Sequence, residues 1–207
     1  AESPALAVTD GVVTAVGYSP DGKLLAAGTS GGTLYVWNAH SGALIRTEKS
    51  VGKGIQALAL SPDGKTVATG GWDKLVHLWG LPEGAPRPLE GLNARVGQVA
   101  WSPDGKLVAA AGSTDAACVW DAASGALKHT FKGHQGNLTA LAWSADSSLL
   151  ATGGMDSTIR LWSLQEGKAP QILKVAARRV NFVGFLPSGD LLGGGDDGAL
   201  RRIPLRD

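Results

Sequence analysis

The chain contains five copies of one segment, repeated about every 42 residues. A polar turn marks each copy: Ser-Pro-Asp-Gly begins at Ser19, Ser61 and Ser102, and related turns begin at Ser144 and Leu186, so successive turns are 42, 41, 42 and 42 residues apart. A second marker keeps this spacing, because a tryptophan late in each of the first four copies falls at residues 37, 79, 120 and 162. Two independent markers with one period predict a row of similar units that bury their apolar faces against one another.

The copy at residues 131–164 predicts the structure of the unit. Apolar and other residues alternate over Leu138–Trp143, and further apolar runs cover residues 149–152 and 158–162. Runs this short, bounded by Gly, Ser and Asp, are typical of β-strands joined by tight turns. No apolar stretch reaches the roughly 18 residues that a membrane-spanning helix needs. We therefore predict an all-β protein that has no membrane partner.

The copies resemble WD40 repeats, the units of β-propellers. The resemblance rests on Gly133-His134, Thr152, Asp156 and Trp162 in the fourth copy and on Trp120-Asp121 in the third. It implies four-stranded antiparallel blades around a central axis. It also implies that His134, Thr152, Asp156 and Trp162 form a structural hydrogen-bond set within their blade. The second copy keeps only Thr69, Asp73 and Trp79 of that set, since Val51 stands at the histidine position.

We predict a single β-propeller over residues 1–207, with repeats at approximately 11–50, 51–91, 92–132, 133–174 and 175–207. Leu6 aligns with Phe131, so residues 1–10 are expected to supply the outer strand that the last copy lacks and to close the ring. Five repeats are fewer than the seven usual in the family. An open arc and the association of several chains are therefore alternatives to the closed monomer that the N-terminal segment favours.

The chemistry-bearing residues do not predict an enzyme. His134, Thr152 and Asp156 superficially resemble a hydrolase triad, but they lie at repeat positions that apolar residues fill in other copies, and no nucleophile elbow or phosphate-binding loop is present. His40, His77 and His129 lie at unrelated repeat positions, so no metal site and no cofactor are predicted. Cys118, the single cysteine, is expected to be a buried, inert thiol.

Because no catalytic or metal site is predicted, we expect the function of the molecule to lie in its surface loops. In the propeller arrangement, the loops from outer to next inner strands share one face with the loops between second and third strands. The candidate partner-binding residues there are Lys53, Arg95, Arg178 and Arg179 in the first set and Trp72, Lys74, Met155 and Asp196 in the second. Trp72 occupies a turn position that needs no aromatic residue. It is expected either to anchor a partner or to fold back over a neighbouring blade.

These features favour a non-catalytic scaffold that binds a protein or peptide on the loop face. A ligand-binding or catalytic propeller that uses the central channel is the alternative, with Gln98 as the polar exception among small inner-strand residues, and an engineered or fragmentary propeller without a partner is another. Nineteen basic and eighteen acidic residues give a net charge of +1, which argues against a nucleic acid partner. We expect a soluble, cytoplasmic protein, although the Ala-Glu-Ser start also fits export.

Overall fold

The computed structural model describes residues 6–49, 54–175 and 178–205, and β-strands are the only regular elements in these ranges. The strands form five antiparallel sheets, four of four strands and one of three. Each sheet is a simple meander in chain order, as expected when short strands are joined by tight turns. The all-β, antiparallel propeller architecture is confirmed. Within the described ranges no helix is long and apolar enough to cross a membrane.

The strands are grouped into five blades, numbered in chain order, and the first strand of each is its inner strand. Blade 1 contains β1 (Val13–Tyr18), β2 (Leu24–Thr29), β3 (Thr33–Asn38) and β4 (Leu44–Lys49). Blade 2 contains β5 (Ile55–Leu60), β6 (Thr66–Gly71), β7 (Val76–Gly80) and β8 (Arg87–Leu89). Blade 3 contains β9 (Val96–Trp101), β10 (Leu107–Gly112), β11 (Ala116–Asp121) and β12 (Leu127–Lys132). Blade 4 contains β13 (Leu138–Trp143), β14 (Leu149–Gly154), β15 (Thr158–Ser163) and β16 (Gln171–Lys174), and blade 5 contains β17 (Val180–Phe185), β18 (Leu191–Gly195) and β19 (Leu200–Ile203).

The turn that marks the repeat is held by its own side chains. Ser19 donates its hydroxyl hydrogen to Asp21 Oδ1 at 2.6 Å, and the same oxygen accepts a bond from the backbone N–H of Lys23. The backbone N–H of Leu24 donates in turn to Ser19 Oγ. The same three bonds recur at Ser61, Ser102 and Ser144. We call the face that carries these turns the turn rim.

Blades pack against each other through an apolar residue at the start of the inner strand. Ile55 lies against Gly28 of blade 1, and Val180 lies against Gly153 of blade 4. A Cβ atom added at Gly153 would come 2.6 Å from Val180 Cγ1, so the glycine forms the socket that lets the two blades approach. Four buried apolar clusters of this kind join blades 1 to 2, 2 to 3, 3 to 4 and 4 to 5.

The expected closure of the ring is not seen among the described residues. Inner strands of consecutive blades pack side by side, but β1 and β17 do not pack together in this way. The side chains of Val16 and Tyr18 on β1 are accordingly 66% and 64% exposed. The last sheet has three strands, and residues 6–12 lie against blade 1 instead of adding a fourth strand to blade 5. Among the described residues, blade 1 and blade 5 thus do not pack on each other as consecutive blades do.

Candidate functional site

A repeated backbone hydrogen bond brings the two sets of loops onto one face, which we call the loop rim. The loop between the second and third strands of each blade donates to the segment that enters its inner strand. The bonds run from Ser30 N to Val12 O, Trp72 N to Gly54 O, Ser113 N to Arg95 O, Met155 N to Asn137 O and Asp196 N to Arg179 O, at 2.8 to 3.3 Å. Side chains of neighbouring loops therefore meet on this rim.

Trp72 and Arg95 come together at the boundary of blades 2 and 3. The Arg95 guanidinium carbon lies 3.8 Å from the centre of the Trp72 ring, which is the geometry of a cation–π contact. Trp72 is still 45% exposed. The arginine of the neighbouring blade thus covers one face of the ring, and the rest of the ring is open to solvent. The role of Trp72 as an anchor for a partner stays a prediction.

Two shallow depressions flank this pair along the loop rim. The smaller, of about 230 Å³, is lined by Gln56, Trp72, Arg95, Val96, Gly97 and Ser113. The larger, of about 370 Å³, shares Gly97 and Ser113 with it and extends past Asn137 and Met155 to Arg179 and Asn181. Together they form a track from blade 2 to blade 5. A chain segment lying along this track would contact Trp72 and Arg95 at one end and Met155 and Arg179 at the other.

The charges along the track differ in how they are compensated. Arg179 donates from Nε to Asn181 Oδ1 at 2.5 Å and lies 3.9 Å from Asp196 Oδ1, and Asn181 Nδ2 also donates to that carboxylate. No carboxylate of residues 6–49, 54–175 and 178–205 lies in ion-pair range of Arg95. The positive charge of Arg95 is therefore available to an anionic group placed beside Trp72.

The remaining candidates fall at different places. Lys74 is exposed in the turn that carries Trp72, with a φ of 71°, and Arg178 is exposed beside Arg179. Neither lines the two depressions. Lys53 lies outside the described residues. Asp196 faces Arg179 and Asn181, as given above.

The polar residues Gln56 and Asn181 were missed at the level of the sequence. Each is the second residue of an inner strand, where the pairing with the next strand skips one position in a β-bulge. Thr14, Gly97 and Thr139 occupy the same bulge position in the other blades. A bulge changes the direction in which a side chain points, and here the second residue borders the loop rim. The five positions hold two threonines, a glutamine, a glycine and an asparagine, so no single residue type marks them in the sequence.

The hydrogen-bond set of blade 4 lies behind the rim. Trp162 Nε1 donates to Thr152 Oγ1 at 2.8 Å, and Thr152 Oγ1 lies 2.8 Å from His134 Nε2. His134 Nδ1 lies 2.9 Å from Asp156 Oδ2, which also accepts from the backbone N–H of Gln135. The four side chains form one continuous chain of bonds from the strand β15 to the loop before β13. Thr152 is fully buried, which leaves its hydroxyl without access to a substrate.

The environment sets the protonation of this chain of bonds. Burial lowers the pKa of His134, against the opposing effect of the Asp156 carboxylate, so the imidazole is neutral and donates from Nδ1. Burial raises the pKa of Asp156, but the backbone donors and the hydroxyl of Thr158 outweigh it and lower the pKa to about 2. A carboxylate paired with a neutral imidazole stabilises the loop entering β13.

Blade 2 builds a related arrangement from a different histidine. Trp79 Nε1 donates to Thr69 Oγ1 at 2.8 Å, as the equivalent pair does in blade 4. Asp73, whose histidine partner from the preceding loop is missing, instead contacts His77 Nε2 of β7 at 2.7 Å. The side chain of His77 is buried, and this contact with Asp73 was not predicted from the sequence.

The fold agrees with a comparison to known families. The model of the WD domain, G-beta repeat, matches residues 6–38, 43–80, 87–121 and 125–163. These segments cover more than half of the chain, and the chain belongs to the WD40 family. Each match begins with an outer strand or its equivalent and ends with the third strand of the next blade. WD40 repeats generally serve as non-catalytic platforms for protein–protein interaction. No curated protein matches the chain.

Proposed function

We propose that the chain is a non-catalytic scaffold that binds an extended peptide segment of a partner protein along the loop rim. The observation that carries the proposal is the half-exposed Trp72 ring with the Arg95 guanidinium stacked on it. Aromatic and arginine side chains contribute most strongly to protein interfaces, because they bury a large area at a modest entropic cost. Met155, which is 48% exposed, offers a second apolar contact farther along the track.

Charge defines the preferred partner. Within the part of the chain that the structure describes, Arg95, Lys74 and Arg178 have no ion-pair partner, and Lys53 is expected to add to their positive charge. Arg179 is partly neutralised by Asp196, so its guanidinium is better suited to a hydrogen bond than to a full ion pair. A peptide with a carboxylate next to an aromatic or aliphatic residue fits Arg95 and Trp72 together. The affinity for such a peptide should fall as the salt concentration rises, because salt screens the attraction between its carboxylate and the solvent-exposed Arg95.

The experiment starts from a random peptide library displayed on phage and selected on the immobilised protein. Selected peptides are titrated by isothermal calorimetry against the parent chain, Trp72→Ala and Arg95→Gln. We expect each substitution to weaken binding at least tenfold, which corresponds to about 1.4 kcal/mol of binding free energy. Lys23→Gln and Lys106→Gln, which change exposed lysines on the turn rim, are the matched controls and should leave the affinity unchanged.

Peptides that bind Trp72→Ala and Arg95→Gln as tightly as the parent chain would contradict the proposal. Loss of binding in the Lys23→Gln control would place the interface on the turn rim instead. Circular dichroism of each variant confirms that the fold is kept before the affinities are compared.

A small polar ligand is the second candidate. Gln98, Asn137, Thr139 and Asn181 converge on the larger depression, which gives the alternative of a ligand-binding channel a structural basis. One added variant, Asn181→Ala, separates the two candidates, since a ligand bound by these groups would lose affinity in Asn181→Ala and keep it in Trp72→Ala.

A further inference from the structure

The first blade has an apolar face that no other part of the described chain covers. Val13 begins β1 at the position that Ile55, Val96, Leu138 and Val180 hold in the other inner strands. Those four residues are at most 4% exposed, whereas Val13 is 41% exposed. Tyr18 is 64% exposed, whereas Leu60 and Trp143 at its position are buried. This face of blade 1 therefore carries the side chains that elsewhere form one half of a core between two blades, but no second blade of the described chain packs on it.

The fifth blade carries the matching half of the same core. Gly194 aligns with Gly28, Gly70 and Gly153, each of which receives the first residue of the next inner strand. A Cβ added at Gly194 would meet only its own blade, with Leu200 Cδ1 at 3.3 Å as the nearest atom. Leu200 aligns with the buried Leu34 of blade 1 but is 64% exposed. Blade 5 thus has an empty socket, and blade 1 has a valine with no socket.

Residues 6–12 add a second point of complementarity. Val8 packs on Tyr35 and Trp37 of blade 1, and the backbone N–H of Thr9 donates to the Tyr35 hydroxyl at 3.2 Å. This is where β12 of blade 3 lies relative to blade 4, with Phe131 stacked on Trp162 at 5.1 Å. The segment is placed as the outer strand of a blade that precedes blade 1. Among the described residues blade 5 has three strands, and no strand pairs with the outer edge of β19.

We propose that two copies of the chain bind head to tail. In this contact the uncovered face of blade 5 in one copy packs on the uncovered face of blade 1 in the next. The contact repeats the geometry of the four inter-blade cores already present. Joining the two ends within one chain would require all four of these cores to shift, and close-packed interiors resist such changes. A second copy would place Val13 at the empty socket of Gly194 and leave the four existing cores unchanged, with Arg202 and its partner Asp190 included in the contact.

The other pairings of edges are less suitable. Two blade 1 faces would bring Val13 against Val13 with no glycine socket on either side. Two blade 5 faces would bring together two copies of Arg202, which stands where Val36 and Leu161 stand in other blades and pairs with Asp190 at 2.6 Å. Like charges at the centre of an interface oppose association. The head-to-tail contact uses the blade edges and leaves the loop rim free, so it is independent of the proposed peptide binding.

The test uses one charged substitution on each edge. The mass in solution is measured by sedimentation velocity from low to high micromolar concentration for the parent chain, Val16→Asp on blade 1 and Leu200→Asp on blade 5. Both side chains are exposed within one chain, so the variants should keep the β-sheet circular dichroism spectrum. We expect the parent chain to associate above its monomer mass of 21.1 kDa and each variant alone to remain monomeric.

The mixture of the two variants is the decisive sample. Val16→Asp keeps an intact blade 5 edge and Leu200→Asp keeps an intact blade 1 edge, so an equimolar mixture should form a one-to-one complex that grows no further. Ile172→Asp, on the outer strand of blade 4, is the control and should associate like the parent chain. A parent chain that is monomeric at every concentration would overturn the proposal. So would association of Leu200→Asp alone, which would indicate a symmetric contact between two blade 1 faces.

Discussion

Trp162 donates its indole N–H to the hydroxyl of Thr152 across two strands of blade 4, at 2.8 Å. The indole ring also stacks on Phe131 of blade 3. One side chain therefore joins two strands of its blade and two neighbouring blades. The bond and the stacking both depend on an indole, which neither a smaller aliphatic residue nor alanine can replace.

We expect Trp162→Ala to lower the free energy of unfolding by about 3 to 5 kcal/mol, because it leaves a cavity and removes the partner of Thr152. Guanidinium denaturation followed by circular dichroism measures the change. Trp72→Ala is the matched control, since the same substitution on the half-exposed loop rim should cost less than about 1 kcal/mol. Equal losses in the two variants would refute the structural role of Trp162.

The glycines that receive a side chain of the next blade can be tested with a second pair of variants. Gly153→Ala should lower the free energy of unfolding by about 1 to 3 kcal/mol, because the new methyl group would press on Val180 and overpack the core between blades 4 and 5. Gly194→Ala, at the same position of blade 5, meets only Leu200 Cδ1 at 3.3 Å and the backbone oxygen of Ala199 at 3.5 Å, and should cost less. Thermal melts of the two variants, measured on monomeric samples, make the comparison. A larger loss for Gly194→Ala would mean that its socket is filled.

Acid should weaken blade 4 in two steps. His134 and Asp156 both have lowered pKa values in the folded protein, so the unfolded chain takes up protons first as the pH falls. The stability that each group contributes is present above its unfolded pKa and is lost as the pH falls, below about 6.5 for the histidine and from 3.8 toward 2 for the aspartate. Denaturation midpoints should therefore decline already between pH 6.5 and 5.

The histidine step can be separated from the aspartates. Aspartates of the turn rim titrate only at lower pH, so His134→Gln should remove most of the slope between pH 6.5 and 5 while leaving the slope below pH 4. Titration of the His134 ring by NMR gives the direct measurement. A ring that takes up its proton above pH 6.5 would show that the aspartate, not burial, dominates its environment.

Cys118 should be unreactive while the protein is folded. The thiol is 1% exposed within the core between blades 2 and 3, and burial raises its pKa, so little thiolate is available. A thiol reagent such as dithionitrobenzoate should modify it at the rate of unfolding, and rapidly once guanidinium is added. Full modification within seconds in buffer would contradict the buried position.

The repeat and the strand class were predictable because their signals are local. The Ser-Asp turn is built by residues within five positions of one another, and period-2 runs specify strands without reference to the rest of the chain. Ring closure was not predictable in this way. Closure depends on the sum of the angles between neighbouring blades. Each angle is set by small differences in packing at residues such as Gly28 and Ile55. No single residue encodes that sum.

In the candidate site, too, the local features could be predicted from the sequence and the contacts between blades could not. Repeat alignment placed Trp72 on the loop rim, because the position of a turn follows from the strands around it. It could not place Arg95 over the ring, since that contact depends on the rotamer of a long side chain from the next blade. The contact between His77 and Asp73 was not predictable for a similar reason: alignment compares positions, whereas His77 reaches Asp73 through the direction of its side chain.

The Ser-Asp turns have a consequence for how this protein can vary. Four of them form their hydrogen bonds within the turn itself, on the turn rim, and make no use of residues on the opposite side of the molecule. Exposed residues on that opposite side that take no part in the bonds of His134 and Asp156 can thus be exchanged with little penalty to folding. A designer could rewrite what the molecule recognises one blade at a time and leave the architecture as it is.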